Sequence, residues 1–196
     1  MAEMNEKQEV LRQKLENQLK SKNFMDADKF PIIGISKMDS QCKSVAQEAN
    51  LNLKEHIKKL LDSSLREESV QGITSLIQND VKALMDIEDG QEKVLQGYAV
   101  AVDRFSLVRI DYMIWYKKCQ RNLLDGDVQY TFAGAGSRSI LDIRKTEWKD
   151  FVYAYAKILK SGLAEELSNI EKQKRIKKSM DDAYTLFRIF KGEIML

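Results

Sequence analysis

Apolar positions in the first twenty residues fall three and four apart. Val10, Leu11, Leu15 and Leu19 form one narrow stripe, and nearly everything else across residues 2–22 is charged or amide. The spacing predicts a helix. A stripe so thin cannot support an isolated helix, so this one is expected to pack loosely or to need a partner. Residues 23–36 hold Pro31 and Gly34 and predict a linker. A second face then runs Cys42, Val45, Ala46, Ala49, Leu53, Ile57, Leu60 and Leu61, behind an N-cap at Ser36 or Asp39. A third runs Val70, Ile73, Ile77, Val81, Leu84 and Met85, capped by Ser69. Gly72 opposes its first turn by up to about 1 kcal/mol relative to alanine.

Glu88-Asp89-Gly90 marks a turn. From Gln91 to Leu124 two stripes coexist. One is Leu95, Tyr98, Val102, Phe105, Tyr112 and Tyr116; the other is Ala101, Val108, Trp115 and Cys119. They predict a long central helix buried on two sides. A competing signal lies inside it, because Val108, Ile110, Tyr112, Ile114 and Tyr116 alternate as a strand would. The lack of a breaker upstream favours the helix. Val128–Phe132 has strand composition, Ala133–Gly136 looks flexible, and Ser139–Ile143 can return as a second short strand. From Thr146 a helical face resumes through Trp148, Phe151, Val152, Tyr155, Leu159, Leu163, Leu167 and Ile170, with Gly162 as a close-packing point. Ile176, Met180, Ala183, Tyr184, Phe187, Phe190 and Ile194 extend it, as a continuation or as a sixth helix.

The expected fold is therefore mainly α. It is an elongated bundle of five or six amphipathic helices, with coiled-coil-like packing and a short β-hairpin or extended excursion near 128–143. One domain spans 1–196.

Composition sharpens this. Nine glycines and one proline in 196 residues suit long helices. The 32 Lys+Arg nearly cancel the 30 Asp+Glu, so a net +2 gives no global reason to expect nucleic acid. Cys42 and Cys119 lie far apart without a Cys-x-x-Cys pattern and read as reduced core thiols. The first twenty residues lack an apolar core flanked for secretion, and no run is long enough to span a bilayer. The expectation is a soluble protein, cytoplasmic as made, with peripheral membrane contact as the alternative.

Chemistry is sparse. His56 is the only histidine, and no HExxH or Glu-x-x-His pair accompanies it, so neither a metal nor a cofactor is expected. GAGSRS matches neither glycine-rich phosphate pattern, although its backbone amides with Arg138 could hold an anion. Asp103, Arg104, Arg109 and Asp111 lie in the most apolar stretch and predict a polar cluster between helices. Lys172, Lys174, Arg175, Lys177 and Lys178 form a basic run, read as a solvated face or, with Arg138, as an anion or lipid-headgroup surface. Val128, Tyr130, Phe132, Ala133 and Ala135 make an uncharged, aromatic-bearing segment suited to a membrane or a partner.

These features predict a non-enzymatic helical interaction protein that self-associates, with a protein partner and no nucleic acid. The alternative is a membrane-active helical bundle, pore-forming or lipid-binding, that uses the apolar 128–136 segment.

Overall fold

A computed structural model describes residues 2–45, 65–84, 88, 90–103, 106–120, 128–163 and 167–194. The chain runs α1 (Ala2–Lys20), β1 (Ile32–Val45), α2 (Glu67–Leu84), β2 (Glu92–Val102), β3 (Leu107–Gln120), β4 (Val128–Leu141), α3 (Trp148–Gly162) and α4 (Asn169–Lys191). The four strands form one antiparallel sheet in the order β1-β4-β3-β2. The fold is thus mixed α/β, which corrects the expected all-helical bundle and its coiled-coil packing.

The predicted central helix is a hairpin, β2–β3. Its register is continuous from Glu92↔Lys117 to Val102↔Leu107. Next to it the Asp103 N–H donates to the Ser106 carbonyl at 2.8 Å. Every side chain from Leu107 to Tyr116 is buried. A strand covered on both faces has few polar positions, so its period of two blurs and helical spacings fit by accident. The alternating positions Val108–Tyr116 carried the correct signal.

Residues 36–45 of the predicted second helix belong to β1; residues 46–61 of it lie outside the described residues. The predicted hairpin near 128–143 is one strand, bonded to β1 on one side and β3 on the other. Gly134 and Gly136 look like turn residues in sequence. In the sheet they stand opposite Ile114 and Tyr112 as ordinary strand positions.

Helices α2 and α3 begin where their apolar faces predicted, but the face expected to run on from Trp148 to Ile170 stops at Gly162: Leu163 is extended, and Ile170 belongs to α4 and is exposed. Ser168 caps α4 through a reciprocal capping box with Glu171, which makes α4 a separate helix, and left-handed Gly192 ends it.

Helix α1 covers one face of the sheet. Leu11, Leu15 and Leu19 pack with Met113, Trp115, Ala133 and Ala135. The partner its thin stripe required is therefore the chain's own sheet. Helices α2 and α3 cover the other face, where Ile73, Ile77, Phe151 and Tyr155 meet Ile110, Tyr112 and Ile114, and α4 packs on α3 through Ala183 and Phe187.

Candidate binding site

Alternation along β2 and β3 sends Tyr98, Arg109 and Asp111 to the face under α1, with Tyr98 directly opposite Asp111. Arg109 is fully buried. Its Nε donates to both Asp111 oxygens at 2.9 and 2.8 Å, and its Nη2 to Asp111 Oδ1 and to the Met25 carbonyl, each at 2.6 Å. The guanidinium lies between two rings, 4.6 Å from Phe24 and 4.1 Å from Tyr98. A planar, weakly hydrated cation suits that slot as an ammonium would not. Burial pushes the Asp111 carboxyl above its ordinary range, and Arg109 pulls against that shift.

Ser137 and Ser139 on β4 stand opposite Asp111 and Arg109 in the register. The Ser137 and Ser139 hydroxyls and Arg109 Nη1 are buried without a hydrogen-bond partner. This end of the face is polar and yet covered, beside the apolar part under Leu11, Leu15 and Leu19.

Tyr98 also forms the wall of an open cleft of about 310 Å³ beside β2. The residues 24–30 turn supplies Asp26 and Lys29 to one side; α3 supplies Asp150, Tyr153 and Lys157 to the other. The Tyr98 hydroxyl donates to Asp26 Oδ2 at 2.6 Å, and Lys29 Nζ lies 3.3 Å from Asp26 Oδ1. Asp26 is left-handed, with φ 50°, a conformation that aspartate tolerates through its short polar side chain. The Tyr98 hydrogen bond holds the Asp26 carboxyl below the usual range. Burial, then Asp26, pushes the Tyr98 phenol well above its own, so it stays a donor. Two acids, two lysines and two phenols around a partly apolar floor suit recognition of a ligand carrying both charges. Nothing in the sequence marked the 24–30 turn beyond its linker composition.

The predicted polar cluster divides. Arg109 and Asp111 meet. Asp103 lies on the opposite face, where it pairs with Arg138. Arg104 lies outside the described residues. Tyr112, on the side of α2, donates to Asp80 at 2.6 Å, so Asp103, Arg109 and Tyr112 do not converge on one pocket. Arg138 is therefore engaged by a carboxylate. Lys174, Arg175, Lys177 and Lys178 are exposed on α4, and Lys172 is half-buried.

Phe132, Ala133 and Ala135 are buried, so this part of the aromatic-bearing segment is sheet core; the side chains of Val128 and Tyr130 lie outside the described residues. His56 also lies outside them. Cys42 and Cys119 sit on β1 and β3, with β4 between. Cys42 is opposite Ala133, which is opposite Trp115, four residues from Cys119. Two strand spacings and four residues put their Cα atoms about 16 Å apart, beyond the roughly 7 Å reach of a disulfide.

Among the described residues no group of three or more His, Cys, Asp or Glu could hold a metal ion, and no helix is long and apolar enough to cross a membrane. No protein-family model, curated protein or solved structure matches the chain.

Proposed function

We propose that this chain is a non-enzymatic interaction protein that self-associates, through the outer edge of β2. The observation that carries this is a difference between the two edges of the sheet. β1 is irregular: its register shifts between Ile32 and Gly34 and again between Ile35 and Lys37. Bulges and edge lysines are devices that block strand addition. β2 has no register shift along its length, and no described strand pairs with its outer side. Residues 92–94 are exposed and 95–98 half-exposed, and the stretch 94–98, VLQGY, has neither charge nor proline. A regular edge with an uncharged stretch beyond Glu92 and Lys93 is a template for another strand.

Two copies joined antiparallel at β2 would satisfy a two-fold axis and extend the sheet from four strands to eight. The contact uses a strand edge, not the helical stripes expected from the sequence. Sedimentation of the parent chain and of Val94→Lys tests it. Val94 is 54% exposed, so lysine there leaves the core intact while putting a charge into the uncharged stretch of the edge. A dimer that Val94→Lys converts to monomer is the expected result. A parent chain that sediments as a monomer at all concentrations defeats the proposal.

A further inference from the structure

The bulge at the start of β1 has a consequence for the surface. Ile32 pairs with Leu141 and Gly34 with Ile140, which leaves Ile33 as the extra residue. A bulge re-aims its side chain, and here it turns Ile33 outward to 73% exposure, the most of any aliphatic side chain among the exposed large hydrophobics. Ile140 and Phe190 join it at 39% and 38% exposure. The three line one shallow depression of about 650 Å³, where the start of β1, the end of β4 and the end of α4 meet. A single exposed isoleucine is ordinary; three large apolar side chains around one depression mark a contact surface.

The rim is basic. Arg144 and Lys145 line the same depression. Lys191 reaches it by donating to the Arg144 carbonyl at 3.2 Å. The acid on this rim, Asp142, is 20% exposed and lies 3.5 Å from Lys145. An apolar centre with a cationic rim matches an anionic bilayer surface, where aliphatic and aromatic side chains enter the headgroup boundary and cations meet lipid phosphates and carboxylates. We propose that this depression is a peripheral docking site for an anionic membrane surface, with Ile33 and Phe190 entering the interface and Arg144, Lys145 and Lys191 holding headgroups. It lies at the far ends of α4 and β4 from the basic run at 172–178 and the 128–136 segment, and it does not depend on the β2 edge.

Vesicle flotation of the full chain tests it, with phosphatidylcholine vesicles against the same vesicles containing phosphatidylserine. The chain is expected to float with the anionic vesicles at low salt and to be released by high salt. Ile33→Asp abolishes flotation without changing the melting temperature. Removing each cation weakens partitioning about fivefold, so Arg144→Glu with Lys145→Glu reduces it by more than twentyfold. No flotation with anionic vesicles overturns the proposal, as does flotation unaffected by Ile33→Asp and by the double reversal. A lipid-free shift in sedimentation mass with Ile33→Asp, without flotation of the parent, assigns the depression to a contact between copies and also overturns it.

Discussion

Gly72 of α2 and Gly162 of α3 touch backbone to backbone. A Cβ on Gly162 would lie 2.7 Å from the Gly72 nitrogen and 2.2 Å from the Glu68 carbonyl oxygen; one on Gly72 would lie 2.0 Å from the Ile158 carbonyl oxygen. These are main-chain atoms of packed helices and cannot swing aside. Alanine gains up to about 1 kcal/mol of helix propensity over glycine, but forced separation of packed elements costs about 1–3 kcal/mol or more. Gly72→Ala and Gly162→Ala are each expected to lower the urea midpoint. Either variant unfolding at the parent midpoint would show that the two helices are not in close contact.

A similar constraint links Gly97 and Tyr112. They are register partners, and a Cβ on Gly97 would lie 2.4 Å from the Tyr112 hydroxyl oxygen. Glycine thus lets the ring lie across β2 and reach Asp80. Gly97→Ala must displace a ring fixed at its far end by a 2.6 Å hydrogen bond, at a cost of about 1–3 kcal/mol. The same substitution in a Tyr112→Leu background should cost much less. A double-mutant cycle in denaturant measures that coupling.

The Arg109–Asp111 pair sits under α1 with side-chain exposures of 0% and 3%. Removing one partner strands a buried charge, so Asp111→Asn or Arg109→Met alone is expected to cost about 3–5 kcal/mol. Replacing both with Met and Leu should recover most of that loss. Ser139→Ala behaves differently: its hydroxyl is buried without a partner, so alanine is expected to be neutral or to stabilise by up to about 1 kcal/mol. Chemical denaturation of the four variants checks the pattern.

The sequence was legible where amphipathic helices lie on a surface. The faces of α2 and the start of α3 appeared at their true positions, and Gly162 was identifiable as a contact, but the apolar residues Leu163, Leu167 and Ile170 carried the α3 face past its true end at Gly162 and hid the break before α4. The sheet was obscured for a physical reason. Leu107–Tyr116 is covered on both sides, so apolar residues occupy both phases of its alternation, and Gly134 and Gly136 imitate a turn inside a strand ordered by its neighbours. Arg109 and Asp111 were visible as charges out of place. Their partners Met25, Phe24 and Tyr98 were not, because an aromatic slot formed by a turn and an adjacent strand depends on topology and leaves no spacing to read.

Acid should weaken the attachment of the α1 side to the sheet. The Tyr98 hydroxyl lowers the Asp26 carboxyl, and the Trp115 indole N–H, donating to Glu92 Oε2 at 2.9 Å, lowers Glu92, with Lys7 adding to it. For a carboxylate with a folded-state pKa below its unfolded value, the unfolded chain takes up protons first as pH falls. The stabilisation is therefore present above the unfolded values, about 3.9 for Asp and 4.3 for Glu, and is lost as pH falls through the lower folded values. Tyr98→Phe removes the main cause at Asp26, so the Asp26 carboxyl is expected to titrate closer to an ordinary aspartate by carbon-detected NMR. Asp26→Asn keeps a side chain that tolerates the left-handed backbone and should flatten the acid limb of the stability curve. An acid limb identical in the parent and Asp26→Asn would mean that other carboxylates govern acid unfolding.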